Sequence, residues 1–296
     1  ENVDINHDIK THIVSRATGG RYDSEDDVWT DTVGSIPTAT VDFFVTPDTA
    51  AFFPAFFQWN DAYSTSGSIL YKTYTSCSSV PDFSADEGYF YTLLAEKCQD
   101  TDETSEIIIG ALAQSLTLSL DATDNEGSLY ASMDMAGQTS GVGVTGFPAS
   151  EVTIPSMSQL YSWDDITDFS VSSFDLTQAL YGFEITGNNG AKMVPAGGKG
   201  QAALPKYEVT GNFRILANDA SATALKALVF DQPPGNGMAF SARWGTLPFT
   251  EEGEINITST IKLTGYSVDK AEEEILTFEF QGVGETPLAV RVYKDA

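Results

Sequence analysis

The residues with chemical reach are few and scattered. His7 and His12 are the only histidines. A serine–histidine–carboxylate relay would need one of them beside a nucleophile on a sharp strand-to-helix turn, and no Gly-x-Ser-x-Gly segment occurs. Among 42 carboxylates some pair will always match the spacing of a glycosidase dyad, so such a pair carries no information. Cys77 and Cys98 lie in no CxxC or Cys/His pattern, so they read as free thiols, one or both buried, and not as zinc ligands. The stretch from Asp121 to Gly127, DATDNEG, is faintly like a calcium loop. It lacks EF-hand spacing, and Asp, Asn and Gly occur in hairpin turns for backbone reasons. Asn256-Ile257-Thr258 fits a glycosylation sequon without a secretory context around it. There is no P-loop and no GxGxxG after a strand. The expectation is a protein with no catalytic, cofactor or metal site, and not an enzyme.

Composition points the same way. A chain of 296 residues can bury about 75% of its unfolded surface and needs no disulfide or metal to fold. Its 42% hydrophobic and 11% aromatic content is that of a packed protein. The charge is −27, from 42 acids against 15 bases, which disfavours ordinary binding to phosphates or anionic lipid. No apolar run is long enough to span a membrane, and no membrane binding is expected. The sequence starts at Glu1 rather than Met, which is read as a missing or processed N-terminal segment, and no signal peptide is visible.

The elements that would position any site are written twice. SLTLSLDATDNEGSLYASMDMAG (residues 115–137) lies over TIKLTGYSVDKAEEEILTFEFQG (260–282) without a gap, at an offset of 145. Leu116, Leu118, Met133 and Met135 meet Ile261, Leu263, Phe278 and Phe280, and polar residues alternate between them. Each copy therefore reads as a β-hairpin with one buried face. Upstream, TATVDFFVTP (38–47) runs into DTAAFFPAFFQW (48–59), with Phe52, Phe53, Phe56 and Phe57 at helical spacing and Asp48 as candidate N-cap. Pro54 predicts either a kink or a later helix start. YEVTGNFRILAN (207–218) runs into DASATALKALVFDQ (219–232), with Leu225, Leu228 and Val229 on one face, at an offset of about 170–172. The difference between the offsets predicts a surface insertion of about 25 residues within 60–107. Strand pairs at 7–16 with 26–34, and at 166–176 with 180–187, are expected to open the two halves. Segment 188–205 reads as a glycine-rich loop and 137–163 as the linker. The fold class is mainly β, with two tandem domains, 1–150 and 151–296, each carrying one short α-helix.

This arrangement resembles the major tail tube protein of long, flexible-tailed phages and related tailed viruses. The resemblance rests on the duplicated hairpin, on YEVTGNFRIL followed by a short helix, and on the closing stretch IKLTGYSVDKAEEEILTFEFQGVGETPLAVRVYKDA. It covers most of 166–296, 38–137 less fully, and 60–107 poorly. It implies sandwich-like, barrel-forming β domains, six to a ring, with rings stacked into the tube that conducts DNA out of the virion. Two domains per chain would make the ring a homotrimer with pseudo-sixfold symmetry, the alternative being a homohexamer. Implied partners are further copies of the chain, the tape measure, terminator and distal tail proteins, and double-stranded DNA in transit without specific binding. The implied location is the virion tail, after assembly in the host cytoplasm.

In a closed barrel the apolar hairpin face meets the domain core, and the other face lines the lumen. The expected lining is Ser115, Thr117, Ser119, Ser132 and Asp134 in the first copy. In the second it is Thr260, Lys262, Thr264, Thr277 and Glu279. Hydroxyls and carboxylates would not trap a duplex carrying about one charge per 1.7 Å. The loop with Asn188, Gly190, Lys192, Gly197, Gly198 and Lys199 is expected to carry ring stacking, by its match to the family's stacking loop. The competing reading is a surface β-sandwich adhesin or carbohydrate-binding module with Trp29, Trp59, Trp163 and Trp244 as a sugar platform. A hydrolase on a β scaffold comes third, for want of a nucleophile.

Overall fold

The computed structural model describes residues 2–6, 10–15, 28–33, 36–58, 64–66, 69–75, 91–99, 102–142, 160–191, 193–196, 199–202, 207–217, 220–231, 237–245, 254–269, 275–284 and 287–294. In chain order the first half holds β1 (Asn2–Asn6), β2 (Lys10–Ser15), β3 (Val28–Val33) and β4 (Thr38–Phe44). A 3-10 turn, Thr49–Phe52, then runs into α1 (Phe53–Phe57). The half continues with β5 (Ser64–Ser66), β6 (Ile69–Thr75), β7 (Tyr91–Gln99), the long β8 (Asp102–Asp121), β9 (Tyr130–Ala136) and β10 (Thr139–Val142). The second half holds β11 (Ile166–Val171), β12 (Phe174–Asp175), β13 (Leu180–Asn188), β14 (Met193–Ala196), β15 (Lys199–Ala202) and β16 (Glu208–Leu216). It ends with α2 (Ala220–Phe230), β17 (Met238–Trp244), the long β18 (Ile255–Asp269), β19 (Ile275–Gly282) and β20 (Leu288–Lys294).

The fold is mainly β and antiparallel, and one order of elements occurs twice. Strand, small hairpin, strand, helix, strand, long strand and two strands are β1, β2–β3, β4, α1, β7, β8, β9 and β10 in the first half. In the second they are β13, β14–β15, β16, α2, β17, β18, β19 and β20. The expected insertion, 60–107, contains β5 and β6, which have no counterpart, but it also takes in β7 and the start of β8, which do. β11 and β12 are the additions of the second half.

Each long strand serves two neighbourhoods. The first part of β8 lies between β7 and β10, and its second part between β9 and β13. The first part of β18 lies between β17 and β20, and its second part pairs β19. The result is one run of strands, β1-β4-β9-β8-β13-β16-β19-β18, which turns at β18 into β17, β11 and β12. The turn folds one run onto the other. Phe169 of β11 stacks on Phe183 of β13 at 5.8 Å, and Phe240 of β17 meets Phe280 of β19 at 5.5 Å. Strand alternation supplies this core: Phe183, Ile185, Phe213, Ile215, Phe278 and Phe280 all point inward and are buried.

Several expectations change. The first hairpin strands are equivalent at an offset of 150, not 145, because Gln114 in β8 and Thr264 in β18 are the same β-bulge. Leu116 and Leu118 thus correspond to Tyr266 and Val268, while Met133/Phe278 and Met135/Phe280 hold. The turn between β8 and β9 is longer by five residues than that between β18 and β19, which absorbs the difference. Asp48 makes no side-chain cap. Thr46 and Thr49 bond each other's backbone N–H instead, at 3.1 and 2.8 Å, and α1 starts with Pro54 in its first turn, where proline is tolerated. Segments 7–16 and 26–34 do pair, as β2–β3, but outside the main sheet. β11 and β13, expected as partners, bond to β12 and β17 and to β8 and β16 respectively. Segment 188–205 contains the β14–β15 hairpin rather than a plain loop. The expected linker, 137–163, starts as β10, and its end is packed: Tyr161 is buried, and Leu129 N–H donates to its carbonyl at 2.7 Å. Residues 143–159, Trp59 and Cys77 lie outside the described residues.

Candidate assembly surface

Because pleating alternates side chains, the face of the eight-strand run opposite the core can be read row by row from the registers. One row is Asp42, Ser132, Thr117, Thr186, Thr210, Gln281 and Lys262. A second is Thr40, Asp134, Ser115, Asn188 and Glu208. A third holds Ser119, Glu184, Asn212 and Glu279, with Phe44 and Tyr130 at its β4 end. Cross-strand bonds tie the rows: Thr40 Oγ1 and Ser115 Oγ donate to the two oxygens of Asp134 at 3.1 and 2.8 Å, and Thr117 and Thr186 hydroxyls pair at 3.1 Å. Asp134, Glu184, Thr210 and Glu279 are exposed.

Eight of the ten residues expected on this face share it. Ser115, Thr117, Ser119, Ser132 and Asp134 lie together, and Thr277, Glu279 and Lys262 continue the face across β19 and β18. Thr260 is exposed but pairs Ala239 of β17, where β18 already belongs to the other run. Thr264 is the bulge residue and leaves the rows. Hairpin-based reasoning missed the contributions of β4, β13 and β16: Thr40, Asp42, Glu184, Thr186, Thr210, Asn212 and Arg214. The alternation within Thr38–Phe44 and Glu208–Leu216 was the available signal.

The joint between the halves is where β8 meets β13. Arg214 of β16 reaches across Gly182 to an ion pair with Asp121 of β8. Burial alone would raise the Asp121 pKa. The Arg214 guanidinium and the Thr123 N–H and hydroxyl outweigh it and hold the carboxyl below its ordinary range. At the other end of the joint Asn189 is fully buried on the β8 bulge. Its N–H donates to Gln114 O at 3.0 Å, and its Nδ2 to Ala113 O at 2.7 Å and Phe56 O at 2.9 Å. Tyr207 Oη donates to Phe57 O, so the C-terminus of α1 is also held from the second half. Phe56 lies against Gly187 of β13, where no larger residue has room.

Of the expected stacking loop, Asn188 is exposed and its Oδ1 accepts the Gly190 N–H at 2.7 Å. Gly190 takes a left-handed φ of 66°, and Lys199 starts β15. Lys192, Gly197 and Gly198 lie outside the described residues. Trp163 and Trp244 form no platform: both pack on the core and donate Nε1–H to Leu180 O and Ser162 O at 3.1 and 2.7 Å. Asp124 accepts the Asn125 N–H at 2.9 Å, capping a short 3-10 turn in the DATDNEG segment. Among the described residues no three His, Cys, Asp or Glu side chains converge as a metal site would require.

The chain matches no protein-family model, and no curated protein matches it as a relative.

Proposed function

We propose that this chain is a structural subunit of a viral tail tube, assembling with further copies of itself into stacked rings that conduct double-stranded DNA. The observation that carries the reading is the β8–β13 joint. It places two equivalent four-strand units side by side, head to tail, in one sheet. A head-to-tail joint can be repeated until it closes, which is how a heterologous contact builds a ring. The face opposite the core supports a conduit: from β4 to β18 its rows are polar apart from Phe44 and Tyr130, and its carboxylates outnumber Arg214 and Lys262. Across the whole chain the −27 charge adds repulsion toward DNA.

Strand count sets the size of the ring. Three copies contribute twenty-four strands in this run. At about 4.8 Å between strands and a tilt of about 40°, that barrel has a diameter of about 48 Å at the backbone. Six copies would give about twice that. The test is negative-stain microscopy of the purified protein at rising concentration. Rings or tubes with a bore set by a barrel of about 48 Å support a three-chain ring. Globular monomers at every concentration would overturn the proposal.

A further inference from the structure

The eight-strand run ends at β1 and at β18, and these ends are the counterparts of the two strands that meet inside the chain. β18 corresponds to β8 through the shared bulge. β1 corresponds to β13, because β1 pairs β4 as β13 pairs β16, and each is followed by a small two-stranded hairpin. On β8, the flank at Ser115–Asp121 is covered by β13. On β18, among the described residues, no strand covers the equivalent flank at Gly265–Val268, and none covers the outer flank of β1. We propose that these two flanks are the halves of one joint, made between successive copies in the register of the internal joint. This rests on the assembly reading above and specifies its contact.

Transposing the β8–β13 register places Val268 opposite Ile5 and Ser267 opposite Asn6 of the next copy, as Leu118 faces Ile185 and Thr117 faces Thr186 within the chain. The apolar residues fit. Leu116 and Leu118 are 0% exposed at the internal joint, whereas their counterparts Tyr266 and Val268 are 37% and 39% exposed. Phe230, at the end of α2, is 81% exposed and sits edge-on to Tyr266 with ring centroids 6.2 Å apart. Three of the four large hydrophobics that stand out in the described chain therefore gather at this one flank. An uncovered strand flank bordered by exposed apolar side chains is a template for another strand, and the occupant it fits is β1 of a second copy.

The test is site-directed cross-linking in a chain carrying Cys77→Ser and Cys98→Ser. Ile5→Cys combined with Val268→Cys, treated with a short bismaleimide, should give a ladder of covalent oligomers in assembled material, and monomer once diluted apart. Ile5→Cys combined with Ser267→Cys, which puts the second thiol on the opposite face, should give little. Assembled rings without the first cross-link would overturn the proposed register while leaving the tube reading standing. Absence of rings at any concentration would overturn both. If the substituted chains fail to fold, hydrogen exchange on the unsubstituted protein decides. Amides at Gly265–Val268 should exchange markedly more slowly in rings than in monomers, and equal rates would refute the joint.

Discussion

Replacing Asn189 by alanine tests whether the two halves are locked into one body. Asn189 is fully buried, and its side chain makes three bonds: Nδ2–H to Ala113 O at 2.7 Å, Nδ2–H to Phe56 O at 2.9 Å, and Oδ1 from Ala191 N–H at 2.9 Å. Alanine removes all three. Ala113 O and Ala191 N–H lose these bonds inside the joint. Phe56 O keeps a longer bond of 3.3 Å from Tyr207 Oη. A buried polar group left without a partner costs about 1–3 kcal/mol, so two lost outright and one weakened predict a loss of about 3–5 kcal/mol. The measurement is urea unfolding followed by tryptophan fluorescence and by far-ultraviolet circular dichroism. With Trp29 and Trp59 replaced by phenylalanine in both chains compared, Trp163 and Trp244 report on the second half, whereas circular dichroism reports on all strands. Because Asn189 binds β8 and α1 from the second half, both signals should shift together. A loss below about 1 kcal/mol, or a shift in only one signal, would refute the claim that Asn189 locks the joint.

The Asp121–Arg214 pair, with both side chains partly exposed, should contribute about 1 kcal/mol at neutral pH after screening. Since the folded-state pKa of Asp121 is lowered, the unfolded chain binds more protons. The contribution is present above the ordinary carboxylate value of about 3.9 and is lost as pH falls through the lower folded value, so the stability gap to Asp121→Asn should close in acid. Gly182→Ala should cost about 1–3 kcal/mol, because an added Cβ would lie 2.5 Å from Leu120 O and 3.0 Å from Arg214 Nη2; unchanged thermal stability would contradict this packing. Replacing Met193–Ala202 by a Gly-Gly turn should leave folded subunits that form rings but not tubes, and tubes of normal length in the microscope would exclude a stacking role. Asp134→Lys with Glu279→Lys should leave tubes intact and slow DNA release, which unchanged ejection kinetics would disprove.

Much of this architecture was legible in the sequence because strands with one buried face alternate. Met133, Met135, Phe278 and Phe280 declared the second hairpin strands, and Phe213 and Ile215 the strand before α2. What misled was the gapless match. Leu116 and Leu118 align neatly on Ile261 and Leu263, yet those residues lie before the Thr264 bulge, and their true counterparts are Ala111 and Ala113. A bulge changes which face the following residues take, so an odd shift in offset still presents apolar residues to apolar residues. The sheet order was not legible, because pairing between distant strands is decided by tertiary packing. β1 escaped notice since Asn-Val-Asp-Ile-Asn is short and half polar, although Val3 and Ile5 match Phe183 and Ile185 once β1 is placed beside β4.

The same correspondence explains how one chain could hold a permanent joint and a reversible one of the same geometry. The internal joint is fastened by two devices, Asn189 on the bulge and Arg214 on Asp121. The position corresponding to Arg214 in the first half is Asp42. Aspartate offers no cation, so the ion pair that Arg214 makes across the internal joint has no equivalent between copies. A joint between copies would therefore keep the strand bonds and the apolar contact of Tyr266 and Val268 but lack that ion pair. It would be weaker by roughly the contribution of that pair, on the order of 1 kcal/mol. In the proposed assembly that difference would favour separation of single copies, and closure of a ring, in which every joint supports the others, would make up the deficit.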